Sequence, residues 1–285
     1  MNKVYACIDG LANTTAVIDW AIWSAQRLAQ PLECLHVLER LPLRPAVGDY
    51  SGAIGLGAQE SLLAQLSTLD EQHSQLAQEG GRRLLAAAQA RAQAAGLART
   101  SGRLRHGELV DAVLEAEPDA RLFVLGEHYH ATTPSRIHLD HHVERVIRSV
   151  QRAVLVVAGE HFAAPQRVVI AFDGSATARK AVQTVASSPL LTGLPLLLAM
   201  AGNDSAGARS QLDEARQSLV AAGFDTTAEL TAGVPEKALP ALVKAQGASM
   251  LVMGAYGHSR IRHLIAGSTT TTLLRISEVP VLILR

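Results

Sequence analysis

Apolar positions along the chain gather into short, nearly unbroken runs separated by longer stretches of mixed character. Lys3 to Ile8 is one such run, closed by Asp9-Gly10, and Val168 to Phe172 is another, closed by Asp173-Gly174-Ser175. Each leads into a segment with helical spacing, Thr14 to Ala29 and Ala176 to Ala186, and then into a second apolar run, Leu32 to Leu38 and Leu194 to Met200. Short runs without polar alternation predict strands buried on both faces, the habit of parallel sheets covered by helices. The order strand, acid, helix, strand occurs twice with the two acids 164 residues apart, so the chain is an internal duplication.

The halves differ in the middle and then converge again. The first passes through a loop from Leu41 to Gly57 into a long Ala/Leu/Gln-rich helical stretch from Gln59 to about Ala95, whereas the second needs only one helix, Ala208 to Ala222. An elongated crossover helix with a solvated loop explains the extra length, and a partner or lid surface is the alternative. Arg99 to Arg105 and a helix ending at Glu117 then parallel Thr226 to Thr231 and a helix ending at Ala245. Fourth strands follow at Ala120–Gly126 and Ser249–Gly254, and closing strands at Ala153–Val157 and Val279–Leu284. Alternating strands and helices of this kind predict two parallel α/β units with helices on both faces, spanning 1–158 and 167–285. The join falls in Ala158 to Gln166, which carries Gly159 and Pro165.

Composition narrows the class. A length of 285 residues suits two domains, and 48% hydrophobic residues with only 4% aromatics implies cores of Ala, Val, Leu and Ile. Equal numbers of basic and acidic residues, 26 each, leave no basic face for nucleic acid. The first residues form neither a signal peptide nor a membrane span, so a soluble, cytoplasmic protein is expected. Cys7 and Cys34 sit in apolar runs and are expected to be buried, reduced thiols.

The chemistry concentrates near the C-terminus. Met253-Gly254-Ala255-Tyr256-Gly257 is followed by a segment with two arginines, two histidines and no carboxylate, and then by Gly267-Ser268-Thr269-Thr270 leading into a helix from Thr271 to Ile276. Glycines let backbone N–H groups approach an anion, and a helix N-terminus flanked by hydroxyls attracts phosphate. In a doubly wound sheet ligands bind beyond the carboxyl ends of the strands, where Asp173 and Gly254 are both expected. The alternative is that the glycines shape turns, the Ser/Thr cluster caps a helix, and Asp9 and Asp173 cap theirs, which is compatible with ligand contact.

Taken whole, the pattern of glycine, two residues, glycine, nine residues, glycine, serine resembles the nucleotide motif of the universal stress protein family. The strand order of both halves, the acid after the first strand and the closing strand extend the resemblance over nearly the full chain. It implies two tandem Rossmann-like domains of the adenine nucleotide alpha hydrolase-like type, each a five-stranded parallel sheet of order 3-2-1-4-5. It further implies ATP as ligand, with or without Mg2+. Asp173 would then lie near base and ribose, Met200 would line the adenine pocket, and Met253 and Gly254 would flank sugar and phosphates. Gly257, Gly267, Ser268, Thr269 and Thr270 would hold the triphosphate. No Walker A triad occurs, nor the serine-glycine-glycine loop of the related ATP pyrophosphatases. The resemblance also implies that the two closing strands pair about a pseudo-twofold axis, making one chain an intramolecular pseudo-dimer; a homodimer of such chains is compatible with it. Short apolar edge strands favour such pairing.

The first half has lost the motif. Glu127-His128-Tyr129-His130 follows Gly126, Tyr129 stands where Gly257 would be, Asp140 adds a second acid, and no glycine recurs before Gly159. One ATP per chain is therefore expected. His128, His130, His138, His141 and His142 have replaced the glycines; solvated histidines with Asp140 as a helix cap are the simpler reading, and a metal shared by His138 with His141 or His142 is the alternative. The leading function is a stress-response regulator whose nucleotide state changes its partner contacts. A slow ATPase or nucleotide-dependent transferase, without a clear base among Asp173, His258 and His263, and a nucleotide-free scaffold using Leu41–Gly57 are the rivals.

Overall fold

The computed structural model describes residues 2–39, 56–127, 141–254 and 268–285. The first half contains β1 (Lys3–Ile8), α1 (Thr14–Leu28), β2 (Leu32–Leu38), α2 (Leu56–Ala94), β3 (Thr100–His106), α3 (Leu109–Ala116), β4 (Ala120–Gly126), α4 (His141–Ser149) and β5 (Ala153–Val157). The second contains β6 (Val168–Ala171), α5 (Ala176–Ala186), β7 (Leu196–Ala201), α6 (Ala206–Ala221), β8 (Thr226–Thr231), α7 (Pro235–Ala245), β9 (Met250–Gly254), α8 (Ser268–Ile276) and β10 (Val281–Leu284). Short 3-10 turns at Glu117–Asp119 and Pro189–Leu191 complete them.

All ten strands belong to one sheet of order β3-β2-β1-β4-β5-β10-β9-β6-β7-β8. Each half therefore has the order 3-2-1-4-5 that the family resemblance implies. Every neighbouring pair is parallel except β5 and β10, which run antiparallel with Val281 opposite Val156 and Ile283 opposite Val154. The closing strands thus cover each other's edges. Their side chains alternate between two hydrophobic clusters, one on each face of the sheet, and both clusters draw residues from both halves. Cys7 and Cys34 are buried in opposite clusters. Burial pushes both thiols up, that of Cys34 to about 12, so neither is a nucleophile at neutral pH.

The seam between halves is also clamped from one face. Ten of the fifteen residues of α1 are buried, against four of eleven in its counterpart α5, because α1 wedges toward the second half. Phe162, in the connecting segment, packs edge-on against Trp20 with ring centroids 5.0 Å apart. Arg27 stacks near Trp23 and donates to the carbonyls of Leu190, in the 3-10 turn of the second half, and of Thr192, just after it. α1 ends on Ala29, whose φ of 52° is left-handed, with the Gln30 amide reaching back to the Ala25 carbonyl.

α2 is 39 residues long where its counterpart α6 has 16. Its C-terminal turns pack Leu85, Ala88 and Ala92 into the core, whereas the described side chains from Gln65 to Gly80 are exposed except half-buried Gln78. The elongated crossover helix expected from the sequence is present; most of the loop Leu41–Gly57 lies outside the described residues. At the amino ends of the strands of the first half, Glu33 is buried and takes an ion pair from Lys3 at 2.7 Å and another from Arg103, while Tyr5 donates to Asp119 at 2.6 Å. The same register position in the second half is Leu197.

Candidate functional site

At the centre of the second half, β6 and β9 lie side by side, with Ile170 opposite Val252. Chain order reverses there, since β6 continues outward to β7 and β9 to β10. The crevice beyond their carboxyl ends is the ligand edge of a doubly wound sheet. Asp173 follows β6, Gly254 ends β9, and Met200 lies near the end of β7. Three sequence-selected residues from three adjacent strands thus meet at one edge.

The turn that carries Asp173 is built from its own polar groups. The Asp173 Oδ1 accepts the Ser175 amide at 2.9 Å, and Gly174, with φ of 73°, takes a conformation that a side chain would strain. Ser175 then caps α5, its Oγ accepting the Ala178 amide at 3.1 Å. The helix cap is thus Ser175, and Asp173 remains exposed. In the first half, Asp9 makes the matching bond to the Leu11 amide and also accepts from Thr14 Oγ1, so neither acid is the capping residue.

Gly254 has a structural reason to lack a side chain. A Cβ there would stand 2.9 Å from the Thr177 carbonyl oxygen, because the first turn of α5 crosses directly over the end of β9. Met200 is buried in the cluster that holds Phe172 and Leu198, and Met253 in the cluster on the opposite face with Leu273. The Met253 side chain thus packs on the face of the sheet opposite to that of Met200.

The last helix begins earlier than its sequence suggests. α8 starts at Ser268 rather than Thr271, so Thr269 and Thr270 occupy its first turn, where backbone amides are unpaired. Thr270 is buried. Thr269 Oγ1 donates to Glu236 Oε1 at 2.5 Å, tying α8 to the first turn of α7. That hydrogen bond, joined by one to the Glu236 backbone, holds the Glu236 carboxyl below the usual range. Gly257 and Gly267 lie outside the described residues. Sequence reading missed Glu236; an acid one position after Pro235 in the first turn of a helix that begins at the ligand edge was the available signal.

The first half presents different chemistry at the equivalent edge. Gly126 ends β4 beneath Asn13, whose side chain is buried and whose Nδ2 donates to the Glu127 carbonyl at 2.9 Å, leaving Oδ1 buried without a partner. Glu127 itself is only 4% exposed. His36 holds on β2 the register that Met200 holds on β7, and its Nδ1 lies 2.7 Å from the Ile8 carbonyl oxygen, to which it donates. α2 closes over it at Gly81, where a Cβ would come within 2.8 Å of the imidazole. His142, the second residue of α4, sits 3.3 Å from Glu39. Tyr129, Asp140, His128, His130 and His138 lie outside the described residues. Among the described residues no group of three potential metal ligands occurs, and no helix is long and apolar enough to cross a membrane.

A doubly wound α/β chain, duplicated and joined edge to edge, with a glycine–serine motif opening at its switch point, defines a class. The universal stress protein family model matches residues 1–158 and 197–285, and the chain belongs to that family. Universal stress protein Slr1230 of Synechocystis sp. is 34% identical over 289 residues, covering 100% of both chains. Among solved structures, a universal stress protein from Archaeoglobus fulgidus superposes with a TM-score of 0.69 at 18% identity, covering 100% of this chain and 96% of that one. A functionally unknown protein from Pseudomonas aeruginosa PAO1 gives a TM-score of 0.63 at 14% identity, covering 100% and 92%. At those identities the two structures speak for the fold.

Proposed function

We propose that the second half binds one ATP and that the protein is a nucleotide-dependent regulator of the stress response in the cytoplasm, not an enzyme of steady turnover. The observation that carries the reading is where the family motif falls: Gly254 closes β9 directly beside β6 and the exposed Asp173, at the point where strand order reverses. The site comprises Asp173 and Met200 toward the adenosine, the backbone of Met253 and Gly254 toward the sugar, and Gly257, Gly267, Ser268, Thr269 and Thr270 around the phosphates. The first turn of α8 supports the last assignment, because unpaired amides and the positive end of the helix dipole favour an anion there.

The first half does not take ATP in this reading. Its crevice holds the buried Glu127, the buried amide of Asn13 and a histidine sealed under α2, and added carboxylates repel phosphate. The two units are 1–158 and 167–285, and antiparallel pairing of β5 with β10 makes the chain an intramolecular pseudo-dimer. Mg2+ accompanies the nucleotide as a counter-ion of its phosphates.

Calorimetric titration with ATP tests the reading, and the expected stoichiometry is one per chain. Two per chain overturns the account of the first half; no heat, together with no adenine nucleotide released from freshly purified protein on mass spectrometry, overturns the account of the second. Steady hydrolysis well above background and lost in Asp173→Asn would replace the regulator by an enzyme.

A further inference from the structure

Glu236 lies on α7, outside the family motif, yet it holds a hydroxyl that the proposed site needs. A threonine hydroxyl has a single hydrogen to donate. In this structure Thr269 gives it to Glu236. A phosphate oxygen arriving at Thr269 must either displace the carboxylate or go without that hydrogen bond. If it stands at ordinary hydrogen-bond distance from Thr269, it lies within about 5 Å of a carboxylate that is itself 2.5 Å from the same hydroxyl. In the first half, the second residue of the last helix, His142, lies 3.3 Å from a different carboxylate, that of Glu39 just after β2. Glu236 thus serves as an internal anion at the amino end of α8, where the helix dipole favours negative charge.

We propose that Glu236 sets the selectivity of the second-half site by phosphate number, resisting each added phosphate charge through its hold on Thr269. The inference rests on the nucleotide reading above. Repulsion between unit charges about 5 Å apart corresponds to about fourfold in affinity in bulk water and to over about a hundredfold at the dielectric of a protein-surface pair, so about tenfold is expected of a half-exposed, salt-screened site. Removing the charge therefore favours the ligand with most phosphate.

The test is calorimetric titration of the full chain with adenosine, AMP, ADP and ATP in EDTA, for wild type, Glu236→Gln and Glu236→Asp. Glu236→Gln should bind ATP about tenfold tighter, ADP by a smaller factor and adenosine unchanged, while the charge-keeping Glu236→Asp stays near wild type for all four. Saturating Mg2+ should shrink the gain for ATP, because the cation screens the same charge. Equal shifts for all ligands, or none for ATP, overturn the inference while leaving the nucleotide site standing. Failure of every ligand to bind wild type overturns both. Thermal melts of the three proteins distinguish a lost fold from a changed affinity.

Discussion

Glu33 offers the sharpest test of how the first half is held together. Its carboxylate has a side-chain exposure of only 5% and takes Lys3 at 2.7 Å and Arg103 beside it. Replacing it by glutamine removes the charge and keeps the shape, leaving two cations that lose a buried counter-charge. Breaking a buried pair by removing one partner costs about 3–5 kcal/mol. The lower end applies here, because Lys3 and Arg103 are 24% and 29% exposed and Lys3 retains Asp119 at 3.1 Å. We expect Glu33→Gln to lose about 2–3 kcal/mol, lowering the melting temperature by roughly 3–5 °C for a chain of this size. The second half supplies the control, since Leu197 occupies the same register without any ion pair. A combined Lys3→Met, Glu33→Leu, Arg103→Leu variant should recover most of the loss, as apolar replacement of a whole buried cluster often does. Urea unfolding followed by far-UV circular dichroism reads both variants. A Glu33→Gln protein within about 0.5 kcal/mol of wild type would refute the idea that this network carries stability.

Three further expectations concern single positions. Ala29→Gly relieves a left-handed alanine at the end of α1 and should raise stability by about 0.5–1 kcal/mol in the same urea assay; a loss would mean that the capping turn is not strained. Gly254→Ala places a methyl 2.9 Å from the Thr177 carbonyl and should cost about 1–3 kcal/mol even without ligand, so an unchanged melting temperature in nucleotide-free protein would contradict the close crossing of α5 over β9. Burial alone would raise the Asp119 carboxyl, but hydrogen bonds from Tyr5 and Lys3 outweigh it and hold it below its ordinary value of 3.8. Its contribution is present above that value and lost as pH falls through the lowered one, so Asp119→Asn should flatten the acid limb of a stability–pH profile. For Lys3 the sign is opposite: its hydrogen bond to Glu33 raises it above 10.5, and its contribution fades only as pH climbs through the raised value.

Most of the framework was legible because the strands are buried on both faces. β1, β2, β4 and β5 have the bounds that apolar runs imply, and the resemblance to the universal stress protein family supplied their order. Where polar chemistry decided the boundary, sequence was a poorer guide. The run Ser268 to Thr270 looks like a cap and is instead helix, while Leu194-Pro195 reads as strand, yet β7 opens only at Leu196. Asp173 looks like a cap, but Ser175 takes that role because the Asx turn spends the aspartate first. Long-range partners left no local trace at all: Lys3, Glu33, Arg103 and Asp119 are scattered over more than a hundred positions, and Glu236 meets Thr269 only because α7 and α8 pack side by side.

The antiparallel contact of β5 with β10 also bears on how the two crevices came to differ. Two identical subunits joined along such an edge would experience every substitution twice, so a carboxylate harmful to one crevice would spoil both. Here the two edges belong to one polypeptide, and a change on one side leaves the other untouched. Covalent fusion thus converts a symmetric object into one free to assign unlike tasks to its halves. The buried Glu127 beneath one crevice and the serine and threonine turn beside the other are what that freedom permits.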